Sequence, residues 1–89
     1  MSVNYEKVSE TLKALAHPAR LKMVAGLLKD ECNVAQIQRV LGLPQSTISQ
    51  HLRILKNADI IKGRKEKTST CYRVIDTQVR KIVEIIKRR

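Results

Sequence analysis

A mainly helical α+β fold, ordered α-α-α-α-β-β-α, is what this 89-residue chain predicts. Three observations predict it. Apolar residues recur at helical spacing in four successive N-terminal segments. Two runs of strand composition then frame the charged stretch "RKEKTS", and a last helical pattern begins at Asp76. The length suits one domain, residues 1–89, near the size at which a single core gives only modest stability. With two Tyr and no Phe or Trp, that core is built from Leu, Ile, Val and Ala.

The first helix fits Asn4 to about Ala16, with Tyr5, Val8, Leu12 and Leu15 at helical spacing. His17-Pro18 breaks it, because proline disfavours helix in the residue before it and has no N–H. Pro18 suits the first turn of a second helix that ends near Lys29, with Leu21, Val24, Leu27 and Leu28 inward. "ECNV" is then either a short extended piece or a connector. A two-turn helix follows from Val34 to Leu41, burying Val34, Ile37, Val40 and Leu41, and Gly42 stops it. Pro44 opens the fourth helix, whose inward stripe is Ile48, Leu52 and Leu55 with His51 at its edge.

The opposite face of that fourth helix carries Ser46, Ser49, Gln50 and Arg53, where a solvated helix ordinarily carries Lys and Glu. Two apolar helices joined by "LGLP", the second with short hydroxyls and an amide outward, form the helix-turn-helix pattern. A helix that enters the DNA major groove needs short or planar donor-acceptors. Gln can pair bidentately with adenine, Ser and Thr adapt to several base edges, and Arg takes guanine or phosphate. Gln45, Ser46, Thr47, Ser49, Gln50 and Arg53 are therefore the candidate DNA-reading residues. The competing reading makes Ser46 and Ser49 ordinary first-turn residues.

The basic segment "IIKGRKEKTSTCYRVID" argues against that competing reading. Ile60-Ile61 and "TCYRV" frame the tip, and Thr70, Tyr72 and Val74 alternate with Cys71 and Arg73, so one face packs and the other does not. A hairpin tipped by Arg64, Lys65 and Lys67 directly after a reading helix serves as a wing gripping flanking phosphates or a minor groove. The predicted architecture is thus a winged helix-turn-helix. The last helix carries Ile75, Val79, Ile82, Val83 and Ile86 on one broad face, with Ile85 beside it. Asp76 suits its N-cap, and the closing "KRR" suits its C-terminal dipole. So apolar a terminal helix exceeds what one small core needs. Pairing it with the first helix predicts a homodimer held by Tyr5, Val8, Leu12, Val79, Ile82, Val83, Ile85 and Ile86.

Charge points to the same partner. The net charge is +10, and it is uneven: residues 1–52 hold six Lys/Arg against four acids, residues 53–89 twelve against four. Such clustering favours a polyanionic partner, either nucleic acid or an acidic membrane surface; the reading-helix pattern makes that partner double-stranded DNA. The N-terminus "MSVNYEKVSE" lacks the pattern of a secretory signal, and no apolar run approaches a bilayer span. Cys32 and Cys71 are too few for a disulfide scaffold and match no zinc-ligand spacing. The expectation is a cytoplasmic protein with reduced thiols and no membrane partner.

The order helix, "LAHPARLKMV", short helix, "LPQSTISQHLRILKNADII", basic hairpin ending "YRV" and terminal helix resembles the ArsR family of winged-helix repressors over essentially the whole chain. The "LPQSTISQHL" form is most similar to PagR-like members that lack a metal site. The resemblance implies a homodimer that occludes a promoter at an imperfect inverted repeat. It also implies base reading by Ser46, Ser49 and Gln50, with Arg64 and Lys65 on the wing. Lys67 stands where many members have a glycine, so a left-handed tip residue would cost Lys something.

Many relatives sense metal, but the ligand sets do not carry over. Against the family's "CVC", this chain has "CNVAQI", with Asn33 and Ala35 at the ligand positions and Cys32 at an apolar one. Of the terminal-helix site only Asp76 remains, since "TQVRKIVEIIKRR" has no His. No metal or other cofactor is expected. His17 and His51 are read as packing or capping residues. In winged folds the strand before the third helix pairs with the wing's second strand, which would bring Cys32 near Cys71 and allow a thiol switch. The simpler reading, preferred, makes Cys32 a small core residue and Cys71 a half-exposed strand residue.

The function predicted is sequence-specific transcription regulation by a dimeric repressor, with no effector named. The alternatives are a thiol-responsive repressor using Cys32 and Cys71, or a non-specific architectural DNA binder, which leaves the uncharged Ser/Gln face unexplained. An enzyme is not expected. Ser46 and Ser49 lie opposite the buried stripe, and no acid orients His51.

Overall fold

Local capping groups set the helix boundaries in the computed structural model, which describes residues 2–88. The Asn4 side chain accepts the Lys7 N–H at 3.1 Å and starts α1, Tyr5–Leu15. His17 adopts an extended backbone, and its Nδ1 accepts the Ala19 N–H at 3.1 Å; with Pro18 in the first turn it starts α2, Pro18–Lys29. Such a cap contributes about 1 kcal/mol. α3, Val34–Leu41, ends at Gly42, whose φ of 65° is left-handed, a conformation that glycine takes without a Cβ penalty. α4 runs Gln45–Asn57 behind Pro44. The antiparallel strands β1, Ile61–Glu66, and β2, Ser69–Val74, pair from Ile61↔Val74 to Glu66↔Ser69. Asp76 Oδ1 accepts the N–H groups of Gln78 and Val79 and opens α5, Thr77–Lys87. Lys87 lies in the last turn and Arg88 caps it, while Arg89 of the "KRR" run lies outside the described residues.

The order is therefore the predicted α-α-α-α-β-β-α, a winged helix-turn-helix. One apolar cluster joins all five helices and the hairpin. Met23, Val24 and Leu27 of α2 meet Ile48 and Leu55 of α4, Ile60 and Ile61 at the hairpin base, and Val79 of α5. Each such fully buried side chain contributes roughly 1.5–3 kcal/mol over an exposed one. Met23 sits at the centre, a residue that the periodicity of α2 did not single out. α3 seats against α2 where Gly26 has no side chain: a Cβ there would lie 2.9 Å from Ile37 Cδ1. Among the described residues no helix is long and apolar enough to cross a membrane.

Several local expectations are corrected. Val40 is 78 % exposed, because this two-turn helix buries Ile37 and leans on its Val34/Leu41 flank, leaving Val40 on the other. Ile75 precedes the Asp76 cap rather than joining the α5 face; it is exposed, and its N–H bonds the Ile60 carbonyl at 2.9 Å. Val79 and Val83 are taken up by the chain's own core at 0 % and 3 % exposure, so they lie beneath the outer face of α5 rather than on it. The hairpin turn is only Lys67-Thr68, which places Arg64 and Lys65 within β1. Among the described non-glycine residues only Cys32 and Asp59 have positive φ, so Lys67 takes no left-handed strain. Asp59 does so at the end of α4, where Ile60 N–H bonds back to the Leu55 carbonyl at 3.0 Å. A short polar side chain tolerates that conformation.

Candidate nucleic-acid interface

Burial fixes which way α4 faces. Ile48 and Leu55 are fully buried, with Leu52 and His51 nearly so, and this stripe turns Gln45, Ser46, Ser49, Gln50 and Arg53 to the surface. Gln45 Nε2 donates to Ser49 Oγ at 3.4 Å, so amide and hydroxyl line up one turn apart. Arg53 continues the row. Thr47 is half-buried at the edge of this face. The face is thus uncharged and hydrogen-bonding near the helix N-terminus and cationic farther along. Lys56, one turn beyond Arg53 and exposed, extends the cationic end. Sequence reading passed over Lys56, although its i+3 spacing from Arg53 was a usable signal.

Two histidines anchor the helix from behind. The His17 and His51 ring centroids lie 4.6 Å apart, and Arg20 Nη1 reaches within 3.3 Å of His51 Nδ1. Arg20 Nε also donates to the Ala14 carbonyl, so one guanidinium ties α1, α2 and α4 together. Burial first, then the charges of His17 and Arg20, hold the His51 pKa below the ordinary histidine range. The ring is therefore neutral near pH 7, as a packing residue requires.

The wing supplies exposed Arg64, Lys65 and Lys67. Arg64 pairs with Glu66 at 2.9 Å, a solvent-exposed ion pair that a phosphate can displace at small cost. Between α3, α4 and the hairpin runs a cleft of about 510 Å³, with Gln45 and Ser49 on one wall and Glu66, Ser69 and Thr70 on the other. The helix face and the wing are thereby two sides of one concave surface.

Cys32 and Cys71 form a disulfide, with Cα atoms 4.2 Å apart. This corrects the expectation of free, reduced thiols, and it reverses the assigned burial. Cys32 is exposed and Cys71 is 5 % exposed. The physical reason lies in "ECNV", which is a connector: Cys32 N–H donates to the Tyr72 carbonyl at 3.2 Å and lays the connector over the hairpin's second face, covering Cys71. A Glu66 carboxylate oxygen and both sulfurs lie within 4.8 Å of one another, but oxidised sulfurs are not thiolate ligands.

Residues 17–62 match the family described as "Bacterial regulatory protein, arsR family". An HTH-type transcriptional regulator of Methanocaldococcus jannaschii is 43 % identical over 84 residues, which cover 92 % of this chain and 93 % of that one. The solved structure of HlyU from Vibrio cholerae superposes with a TM-score of 0.89 at 34 % identity, covering 99 % of this chain and 96 % of that one. The transcriptional repressor PagR of Bacillus anthracis does so with a TM-score of 0.81 at 37 % identity, covering 92 % and 94 %. Fold, helix order and sequence agree: the chain belongs to the arsR family of DNA-binding bacterial transcription regulators.

Proposed function

We propose that the protein is a homodimeric repressor that reads an imperfect inverted repeat in double-stranded DNA and occludes a promoter there. The observation that carries this reading is the exposed, uncharged row Gln45, Ser46, Ser49 and Gln50 on α4, of which Gln45 and Ser49 share a cleft with the hairpin that bears the exposed cations Arg64, Lys65 and Lys67. Such a face suits base edges, and the wing residues Arg64, Lys65 and Lys67 suit phosphates. Arg53 and Lys56 hold the flanking backbone or a guanine.

Dimerisation is supported by the apolar surface at the two ends of the chain. Tyr5 is 75 % exposed, Leu12 47 %, Ile85 65 % and Ile86 46 %, with Val8 and Ile82 half-buried among them. A second copy that covers this surface relates two α4 helices by a two-fold axis, and half-sites about one helical turn apart follow from that symmetry.

The test is selection of fragments of the host genome by the purified protein, followed by sequencing. The expected result is enrichment of a few promoter segments that share an inverted repeat. Uniform recovery of all sequences would indicate a non-specific architectural binder instead.

A further inference from the structure

We propose that Cys32 and Cys71 form a dithiol–disulfide site whose reactant is a small organic disulfide, admitted through the cleft that the site shares with the reading face of α4. The bridge spans 39 residues of sequence and encloses α3, α4 and β1, so it closes the helix-turn-helix and half of the hairpin into one covalent ring. Cys71 stands directly opposite Arg64 in the hairpin register, and Cys32 immediately precedes Asn33, the residue before α3. The sulfur–sulfur bond therefore links the start of α3 to the strand position beside a wing cation.

The difference in burial sets the order of steps. Exposed Cys32 is the thiol that a reactant meets, and it lies at φ 67°, a left-handed conformation that non-glycine residues rarely hold. Cys71 is only 5 % exposed and lies bonded to Cys32, so it is the less accessible sulfur and the one placed to resolve. In the reduced protein the Cys32 thiolate attacks one sulfur of a reactant R–S–S–R, forming a mixed disulfide and releasing R–S⁻. The Cys71 thiolate then attacks Cys32 Sγ, forming the bridge and releasing the second R–S⁻. The two protons lost by the cysteines leave on two R–SH molecules, and two electrons pass from the protein to the reactant. Small thiols reverse both steps. An exposed attacking cysteine beside a buried resolving one is the arrangement that thiol-responsive sites use.

The consequence for DNA rests on the function proposed above. Gln45 and Ser49 line the cleft together with Cys32 and Cys71, so a duplex seated on α4 covers the approach to Cys32. Bound DNA and the reactant thus exclude one another.

The test treats reduced full-length protein with 2-hydroxyethyl disulfide and follows intact mass after an acid quench. Wild type is expected to become lighter by two hydrogens without accumulating an adduct. Cys71→Ala should hold one reagent half on Cys32, and Cys32→Ser should react about tenfold or more slowly through its buried thiol. Equal rates for Cys32→Ser and wild type, or two adducts on wild type without a bridge, would overturn the site. In a second arm, mixed-sequence duplex DNA at low salt should slow the wild-type reaction about tenfold. An unchanged rate with DNA demonstrably bound would overturn the shared cleft. The mass readout needs no DNA, so failure of the thiol chemistry and failure of DNA reading give different results.

Discussion

Arg20 of α2 and His51 of α4 meet with Nη1 3.3 Å from Nδ1, and this contact holds the back of the reading helix against the N-terminal helices. It requires a neutral imidazole whose Nδ1 lone pair accepts from the guanidinium. The His17 ring packs against the same imidazole, with centroids 4.6 Å apart.

Acid should therefore destabilise the fold through His51. Its pKa is lowered in the folded state by burial and then by His17 and Arg20, so the unfolded chain binds the proton more readily. The stability contribution is complete above the unfolded histidine value of about 6.5 and is lost as pH falls through the lower folded value. The melting temperature of wild type should fall between about pH 7.5 and about pH 5, and that of His51→Gln should fall distinctly less. Parallel loss in both proteins would remove His51 from the account.

The wing should grip DNA without reading it. Arg64→Ala with Lys65→Ala is expected to weaken binding to every sequence alike and to lower the slope of log affinity against log salt by about one to two. Binding isotherms at several salt concentrations check this. An unchanged slope would place the wing outside the interface.

The exposed apolar ends give a separate prediction. Ile85 is 65 % exposed, so Ile85→Glu costs the single chain little but places an unpaired charge on the surface that a second copy covers. Sedimentation should show a folded monomer, with DNA affinity reduced although no DNA-facing residue has changed. A variant that stays dimeric and binds DNA as before would move the interface elsewhere.

Much of this fold is written in local sequence. Asn4, Pro18, Gly42 and Asp76 act through their own backbone neighbours, and each bounds a helix where the residues alone place it. The stripe Ile48, Leu52, Leu55 likewise orients α4 by periodicity. What the sequence did not disclose depends on distant partners. Cys71 is buried because the connector at Cys32 crosses it, and Val79 and Val83 belong to the chain's own core because α5 packs on α2. A period of 3.6 residues says which side of a helix is apolar, not which neighbour covers it. Lys56 was missed because one lysine near a helix end is also an ordinary dipole partner.

The central claim is that the uncharged face of α4 reads bases, and Gln50 tests it most directly. Affinities of wild type and Gln50→Ala are to be measured on a duplex recovered by genomic selection and on a scrambled duplex, at one salt concentration. The account predicts a loss of about 1–3 kcal/mol on the selected duplex and almost none on the scrambled one, so that discrimination collapses. Equal losses on both duplexes, or none on either, would contradict it.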